Sequence, residues 1–177
     1  MAKAKLRKML GDVNSPYITS LMRLIETQSK ATISRWCLDY AWEHILQIYE
    51  DACPGDGRPR AAMSAAEEWL LGNLKLPAVK KLILETHAAA REAEDHPAAQ
   101  AAARTIGQAA AVIHTPTHSL GLAFYGAAAM AYSTLGLDAT PNAYEEFAAA
   151  ECARIEAALQ AIAVPDEPNP AKIDWKC

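Results

Sequence analysis

Glycine, phenylalanine and long apolar runs are all scarce in this chain. Only 8 glycines and 2 phenylalanines occur among its 177 residues, and aromatic residues make up 7% of the total. So little glycine excludes a collagen-like repeat, and a hydrophobic content of 51% excludes a disordered chain. Because alanine supplies much of that hydrophobic content, the composition favours a single domain of closely packed helices.

Signals for export, membrane insertion or zinc binding are also missing. Even the alanine-rich stretch 120–137 contains Tyr, Ser, Thr and Gly, so no window approaches the ~18 apolar residues of a membrane helix. No apolar run of signal-peptide length follows the N-terminus. The cysteines lie far apart and form no C-x-x-C pair: Cys37, Cys53, Cys152 and Cys177. We therefore expect a cytoplasmic protein with reduced thiols, no membrane contact and no cofactor.

The charge balance is slightly acidic. A net charge of -4 and a pI near 5.7 argue against a general nucleic-acid binder, which usually presents a strongly basic face. Basic residues cluster only briefly near the N-terminus, at Lys3, Lys5, Arg7 and Lys8. We expect residues 1–15 to form a flexible basic arm.

Prolines divide the chain into helices. Six of the ten prolines precede runs with apolar residues at three- and four-residue spacing: Pro16, Pro59, Pro77, Pro97, Pro116 and Pro141. Thr115 and Thr140 stand where N-caps would. The predicted helices span 16–28, 31–52, 58–73, 76–94, 97–113, 116–136 and 141–163. Short links between them predict an all-α bundle of about seven largely antiparallel helices, forming one domain over 16–163. The proline-rich tail 164–177 should run extended, anchored by Trp175.

Large polar side chains interrupt the alanine-rich helices at helical spacing. His87 and Arg91 are four residues apart, and Gln100, Arg104 and Gln108 form one stripe. Further along, His118 and Tyr125 share a face, with His114 just before it. Two interpretations stay open: these groups form a polar core satisfied by hydrogen bonds, or they line a seam that binds a ligand.

The segment His114-Thr-Pro-Thr-His118 has the spacing of a metal-binding helix, but Pro116 argues against a metal site. If Thr115 caps the helix, His114 lies outside it and the i, i+4 geometry is lost. A metal would then need a third ligand, for which His87, Asp39 and Glu43 are the candidates. No H-E-x-x-H motif, nucleophile elbow or phosphate-binding loop occurs, so we expect neither a metal nor catalytic residues.

The segment Asp56-Gly-Arg58-Pro-Arg60 brings an acid and two guanidiniums to the start of a helix. Asp56 is placed to accept backbone N–H groups there, and each arginine can bind a carboxylate in a bidentate manner. The arginines either hold the loop through ion pairs or bind an acidic partner.

Taken in order, these motifs resemble the Imm5-like family of bacterial immunity proteins. The resemblance covers about residues 31–136 and rests on Asp56, Arg58, Arg60, Trp69, His87, Arg91, Arg104, Gln108, His114, His118 and Tyr125. It implies an all-helical protein, not an enzyme, that neutralises a toxin by binding it. It also implies that the motif residues are structural or take part in binding.

Three hypotheses follow. The first is a toxin-binding immunity protein, whose acidic net charge suits a basic toxin such as a nuclease. The second is a helical protein that binds a small molecule or a metal through the seam of His and Arg side chains described above. Such a protein could also be a cryptic enzyme. The third is a structural or regulatory homo-oligomer without a ligand.

Overall fold

The computed structural model describes residues 5–176. Lys3 at one end and Cys177 at the other lie outside the described residues. Within the described range the chain is helical and has no strand, which confirms the predicted fold class. The helices are α1 Pro16–Glu26, α2 Lys30–Tyr40, α3 Leu46–Ala52, α4 Arg58–Leu70, α5 Leu76–Glu92, α6 Pro97–Ala111, α7 Leu120–Leu135 and α8 Pro141–Ile162.

Two of these helices are joined into one rod. A π-helical turn, Ala41–Ile45, connects α2 to α3 without a break, so the predicted single helix 31–52 is confirmed as a continuous segment. Neither the proline positions nor the apolar spacing predicts the π-helical turn. A 3-10 turn, Pro116–Ser119, likewise leads into α7. With these joins the described chain contains seven helical segments, as predicted.

The helix starts follow the proline pattern. Proline stands at the first or second position of α1, α4, α5, α6, α8 and the 3-10 turn, where its missing N–H costs no hydrogen bond. Thr140 is an N-cap, since its Oγ1 accepts from the Ala143 N–H at 3.1 Å. The cap predicted at Thr115 is wrong, because its hydroxyl contacts the His114 Nδ1 at 2.7 Å instead.

Helix α6 lies at the centre of the bundle. It packs against α5 and α7 on two sides and contacts α2, α3 and α4 as well. Its alanines allow these close approaches, because small side chains let helix backbones come near each other. Ten of its residues are buried, and its half-buried polar residues are Gln100, Arg104 and Gln108. Helix α8 covers α7 and α2 and carries α1 on its outer side.

The N-terminal segment, residues 5–15, is attached to α7. The Leu10 N–H donates to the Phe124 carbonyl at 3.2 Å, and the Tyr132 hydroxyl donates to the Arg7 carbonyl. The Leu10 side chain is only 2% exposed. This segment was expected to be a flexible arm; in the described part, an apolar side chain and backbone hydrogen bonds hold it to the bundle.

The C-terminal tail is held by one buried amide. The Gln28 side chain is 2% exposed; its Oε1 accepts from the Val164 N–H and its Nε2 donates to the Val164 carbonyl. The Gln28 carbonyl accepts from the Ala171 N–H at 2.8 Å. Near the end of the tail, the Trp175 indole donates to Glu26. No helix among residues 5–176 combines the length and apolarity needed to span a membrane.

Candidate functional site

The motif residues separate into two groups, and the first holds the loop before α4. Asp56 is the centre of this group. It accepts from the Tyr49 hydroxyl at 2.6 Å, from the Arg58 N–H at 3.1 Å and from the Arg58 guanidinium at 2.6–3.1 Å. The same guanidinium reaches Glu92 on α5, with a shortest distance of 2.6 Å. Arg58, the first residue of α4, therefore ties the loop to α5, and its hydrogen bonds hold the pKa of the Asp56 carboxyl well below its usual range.

Arg60 is also paired within the chain. Its guanidinium binds both oxygens of Glu50 at 2.8 Å and lies 5.2 Å from the centre of the Trp42 ring. The Trp42 indole donates to Glu67 at 2.8 Å. Trp69, the remaining motif residue in this region, is half-buried against the core. Arg58 and Arg60 thus use their bidentate geometry on the protein's own carboxylates, which is the first of the two roles predicted for them.

The second group surrounds the crossing of α5, α6 and α7. The His87 imidazole lies directly on the Gly107 backbone, where an added Cβ would stand 2.6 Å from the His87 Cε1. Gln108 lies in the same way on Gly121, where an added Cβ would stand 2.5 Å from the Gln108 Cβ. The two glycines are therefore what allows these polar side chains to enter an alanine-rich crossing.

The histidines after α6 lie near each other but do not form a metal site. The ring centres of His114 and His118 are 6.2 Å apart, and the His118 Nδ1 is buried without a hydrogen-bond partner. Among residues 5–176, no three His, Cys, Asp or Glu side chains are placed to hold a metal ion. The candidate third ligands Asp39 and Glu43 stand on the α2 rod, with Asp39 3.8 Å from Arg35 and Glu43 3.6 Å from His44.

Burial lowers the pKa of all three imidazoles, and neighbouring cations add to the shift at His87 and His114. The pKa of His87 is lowered first by burial and then by the charges of His118, Arg91 and Arg104. Burial also lowers the pKa of His118. The pKa of His114 is lowered by burial and, to a smaller extent, by Lys80. His87 and His114 therefore face positive charge, whereas burial alone lowers the pKa of His118.

Two motif arginines, Arg91 and Arg104, form no ion pair within the described residues, although the charge of Arg91 helps to lower the pKa of the neighbouring Glu92. Arg91 is exposed at the end of α5, and Arg104 is half-buried on α6. Neither makes a hydrogen bond or an ion pair with another residue in the part of the chain that the structure describes. Gln100, one turn before Arg104, is satisfied internally because its Nε2 donates to the Ala90 carbonyl at 2.8 Å. The predicted polar seam is therefore satisfied in part and cationic in part.

Arg104 opens onto a surface groove of about 370 Å³ between α6, α7 and the N-terminal segment. Lys5, Arg7 and Lys8 line the groove from the other side, and Glu94 is the single carboxylate among its described lining residues. Arg7 itself pairs with Glu145. We call this region the cationic groove; Lys5, Lys8 and Arg104 are the basic residues of its lining that form no ion pair among the described residues. Tyr125, the last motif residue, is half-buried on α7.

Several structural residues lay beyond the sequence prediction. Tyr49 and Glu92 complete the Asp56 network, yet they belong to helices that no local pattern connects to the loop. Glu151 is fully buried on α8, where it accepts from Tyr40 and pairs with Arg154. The sequence signal for Glu151 was its position within an apolar face of α8, because a charged residue on a buried face needs hydrogen-bond or ion-pair partners.

The fold and this site define an all-helical protein in which some polar motif residues cross-link alanine-rich helices, while the motif arginines Arg91 and Arg104 form no ion pair within the described residues. A family model described as Imm-5 like putative immunity protein matches residues 23–158, a range that includes all of the motif residues. The chain belongs to this family, and the resemblance found in the sequence is confirmed. Searches of curated proteins and of solved structures returned no match.

Proposed function

We propose that this protein neutralises a bacterial toxin by binding it directly, in the cytoplasm of the cell that makes both. The family match over residues 23–158 carries this proposal, because the family is one of immunity proteins. An inhibitor of this kind needs a stable scaffold and a complementary surface, and it requires no chemistry of its own.

The distribution of the motif residues supports a binding role. Asp56, Arg58 and Arg60 form ion pairs within the chain, so they stabilise the scaffold. Arg91 and Arg104 have no such partner among residues 5–176 and are free to contact another molecule. Charged side chains that have no partner within the chain can give an interface electrostatic complementarity to a partner protein.

Co-expression with the toxin encoded beside this chain tests the proposal. We expect growth to be restored when the two are made together, and a complex of the two chains to elute from a sizing column when the toxin is catalytically inactivated. An unrelated toxin of the same activity is the matched control and should kill unimpeded. Unimpaired killing by the neighbouring toxin, together with separate elution of the two chains, would contradict the proposal.

The small-molecule alternative makes a different prediction for the same material. If the His/Arg seam served a metabolite, the purified protein would carry a bound small molecule, and the toxin would remain active in its presence. Mass spectrometry of the protein under native conditions, compared with denaturing conditions, distinguishes the two functions.

A further inference from the structure

A second cavity lies between the N-terminal segment and the link that joins α7 to α8. Its volume is about 270 Å³. Leu6 and Leu10 line it from the N-terminal segment, and Leu137, Ala139 and Pro141 line it from the link and the start of α8. None of the residues of the His/Arg seam belongs to its described lining. We call this cavity the apolar cleft.

Two tyrosine rings also line the apolar cleft. The ring centres of Tyr132 and Tyr144 are 5.2 Å apart, and the ring planes meet at 89°. The Tyr132 hydroxyl donates to the Arg7 carbonyl, and the Tyr144 hydroxyl donates to the Gly136 carbonyl at 2.7 Å. Because both hydroxyl protons already have acceptors, these tyrosines offer a ligand their aromatic rings.

The charged residues of the lining leave no buried charge for a ligand to meet. Arg7 and Glu145 pair with each other at side chains that are 60% and 41% exposed. Asp138 is also engaged in a polar interaction, and Lys5 is exposed to solvent. An ionised ligand would lose hydration in the apolar cleft without gaining a buried counter-charge. The lining therefore favours an uncharged ligand.

The size of the apolar cleft and its rings narrow the class of ligand further. A cavity of about 150 Å³ holds a benzene molecule, so this volume has room for one or two fused rings. Aromatic rings attract each other in edge-to-face and offset-stacked arrangements, which Tyr132 and Tyr144 make available. Leu137 is 42% exposed, and a ligand that covers it gains from the burial of apolar surface.

We infer that the apolar cleft binds a small uncharged aromatic compound of one or two rings, packed against Tyr132 and Tyr144. This inference does not rest on the proposed function, because it involves neither a toxin nor the His/Arg seam. The bound compound would contact both the N-terminal segment and the link between α7 and α8. Its binding should therefore affect two stretches that are far apart in the chain.

Indole is the probe that tests this site. In an NMR titration of the full chain, we expect saturable shifts of amides within 6–10 and 137–145, with a dissociation constant of about 1 mM or tighter. Indole carboxylate is the matched charged probe and should bind at least about tenfold more weakly. Equal binding of the carboxylate would overturn the assignment to an uncharged ligand. Shifts confined to other parts of the chain would overturn the location.

Two exposed leucines provide a matched pair of variants. Leu137→Asp places a charge in the lining and should weaken indole binding at least about tenfold. Leu135 is the last residue of α7, is 40% exposed and lies outside the described lining of the apolar cleft. Leu135→Asp should therefore leave the dissociation constant within about twofold. Indole binding that is unchanged in Leu137→Asp would overturn the inference.

A third variant removes the space without adding a charge. Ala139 is half-buried in the lining, so Ala139→Leu should fill part of the apolar cleft and weaken indole binding to a similar extent. Circular dichroism establishes that each variant is folded. If the folded Ala139→Leu variant binds indole as tightly as the wild type, the inference is overturned.

The outcome is independent of the toxin experiment. A wild-type protein that binds no indole would overturn this inference and leave the proposed function intact, since toxin neutralisation is measured separately. A failure of toxin binding would in turn leave the apolar cleft in place. If a small molecule stays bound during purification, its loss from Leu137→Asp would assign it to the apolar cleft, and its retention there would contradict that assignment.

Discussion

At the scale of single residues, two glycines on α7 face very different surroundings. A Cβ at Gly121 would stand 2.5 Å from the Gln108 Cβ, which is bonded to the α6 backbone and cannot turn away. A Cβ at Gly126 would have its nearest neighbour, the Thr105 Cγ2, at 3.5 Å, an ordinary contact distance. The same substitution therefore has opposite expected effects five residues apart.

We predict that Gly121→Ala lowers the free energy of unfolding by about 1–3 kcal/mol, since overpacking forces the α6–α7 crossing to shift. Gly126→Ala should be neutral or should raise it by up to about 1 kcal/mol, because alanine is the better helix former. Urea unfolding of both variants measures the difference. Equal losses in the two variants would show that α6 and α7 do not cross as described.

The lowered histidine pKa values predict a dependence of stability on pH. Burial lowers the pKa of His87, His114 and His118 below the usual 6.5, so the unfolded chain binds more protons than the folded one just below that pH. The unfolding free energy is therefore highest above pH 6.5 and falls as the pH drops through 6.5 toward the lower folded pKa values.

Urea midpoints at about pH 7.5 and about pH 5.5 check this prediction in a range above the usual pKa of carboxylates. We expect the wild type to have the lower midpoint at the lower pH. In His118→Gln this difference should be smaller, because one of the three groups no longer titrates. A wild-type midpoint that stays constant across this range would be inconsistent with lowered pKa values at these three histidines.

At the scale of elements, the N-terminal segment shows how one side chain changes the role of a stretch of chain. Four basic residues near the N-terminus are typical of a solvated arm, and the sequence analysis treated them so. The structure places Leu10 in the core and pairs its backbone with Phe124. Residues near Leu10 thereby become a wall of the cationic groove.

We predict that Leu10→Ala lowers the free energy of unfolding by about 2–5 kcal/mol, the usual cost of truncating a buried leucine. Its neighbour Met9 is 42% exposed, so Met9→Ala should change stability by no more than about 0.5 kcal/mol. Thermal or urea unfolding compares the pair. If both variants match the wild type, the N-terminal segment is a free arm after all.

At the scale of the whole molecule, stability should decrease outward from α6. This helix is surrounded by other helices, whereas residues 164–176 are held mainly by Gln28 and Trp175. Amides in α6 should therefore exchange with solvent only through global unfolding, and amides of the tail should exchange earlier through local opening.

Hydrogen–deuterium exchange followed by mass spectrometry measures this gradient. Gln28→Ala is expected to increase exchange in the tail while leaving the α6 peptides unchanged, because the Gln28 side chain bonds only the tail and Thr27 within the described chain. Early exchange of α6 peptides in the wild type would contradict a central position for this helix.

Much of the fold follows from local rules. Proline at the first turns, threonine or serine at some caps and apolar spacing of three and four residues are properties of short segments, so the helices and their order are predictable from the sequence. The stripe of Gln100, Arg104 and Gln108 is likewise a consequence of helical periodicity. Family membership also follows from the sequence, since ordered motifs carry it.

Only the tertiary structure decided which polar groups have partners. Arg58 and Arg104 are both motif arginines, but Arg58 pairs with Asp56 and Glu92, while Arg104 lines a groove together with Lys5 and Lys8 and forms no ion pair among the described residues. Ion pairing depends on contacts between residues far apart in the chain, and helical periodicity does not indicate which helices become neighbours. For that reason the sequence by itself determined the helices, while the packing of helices distant in the chain determined which of their charged side chains have a partner.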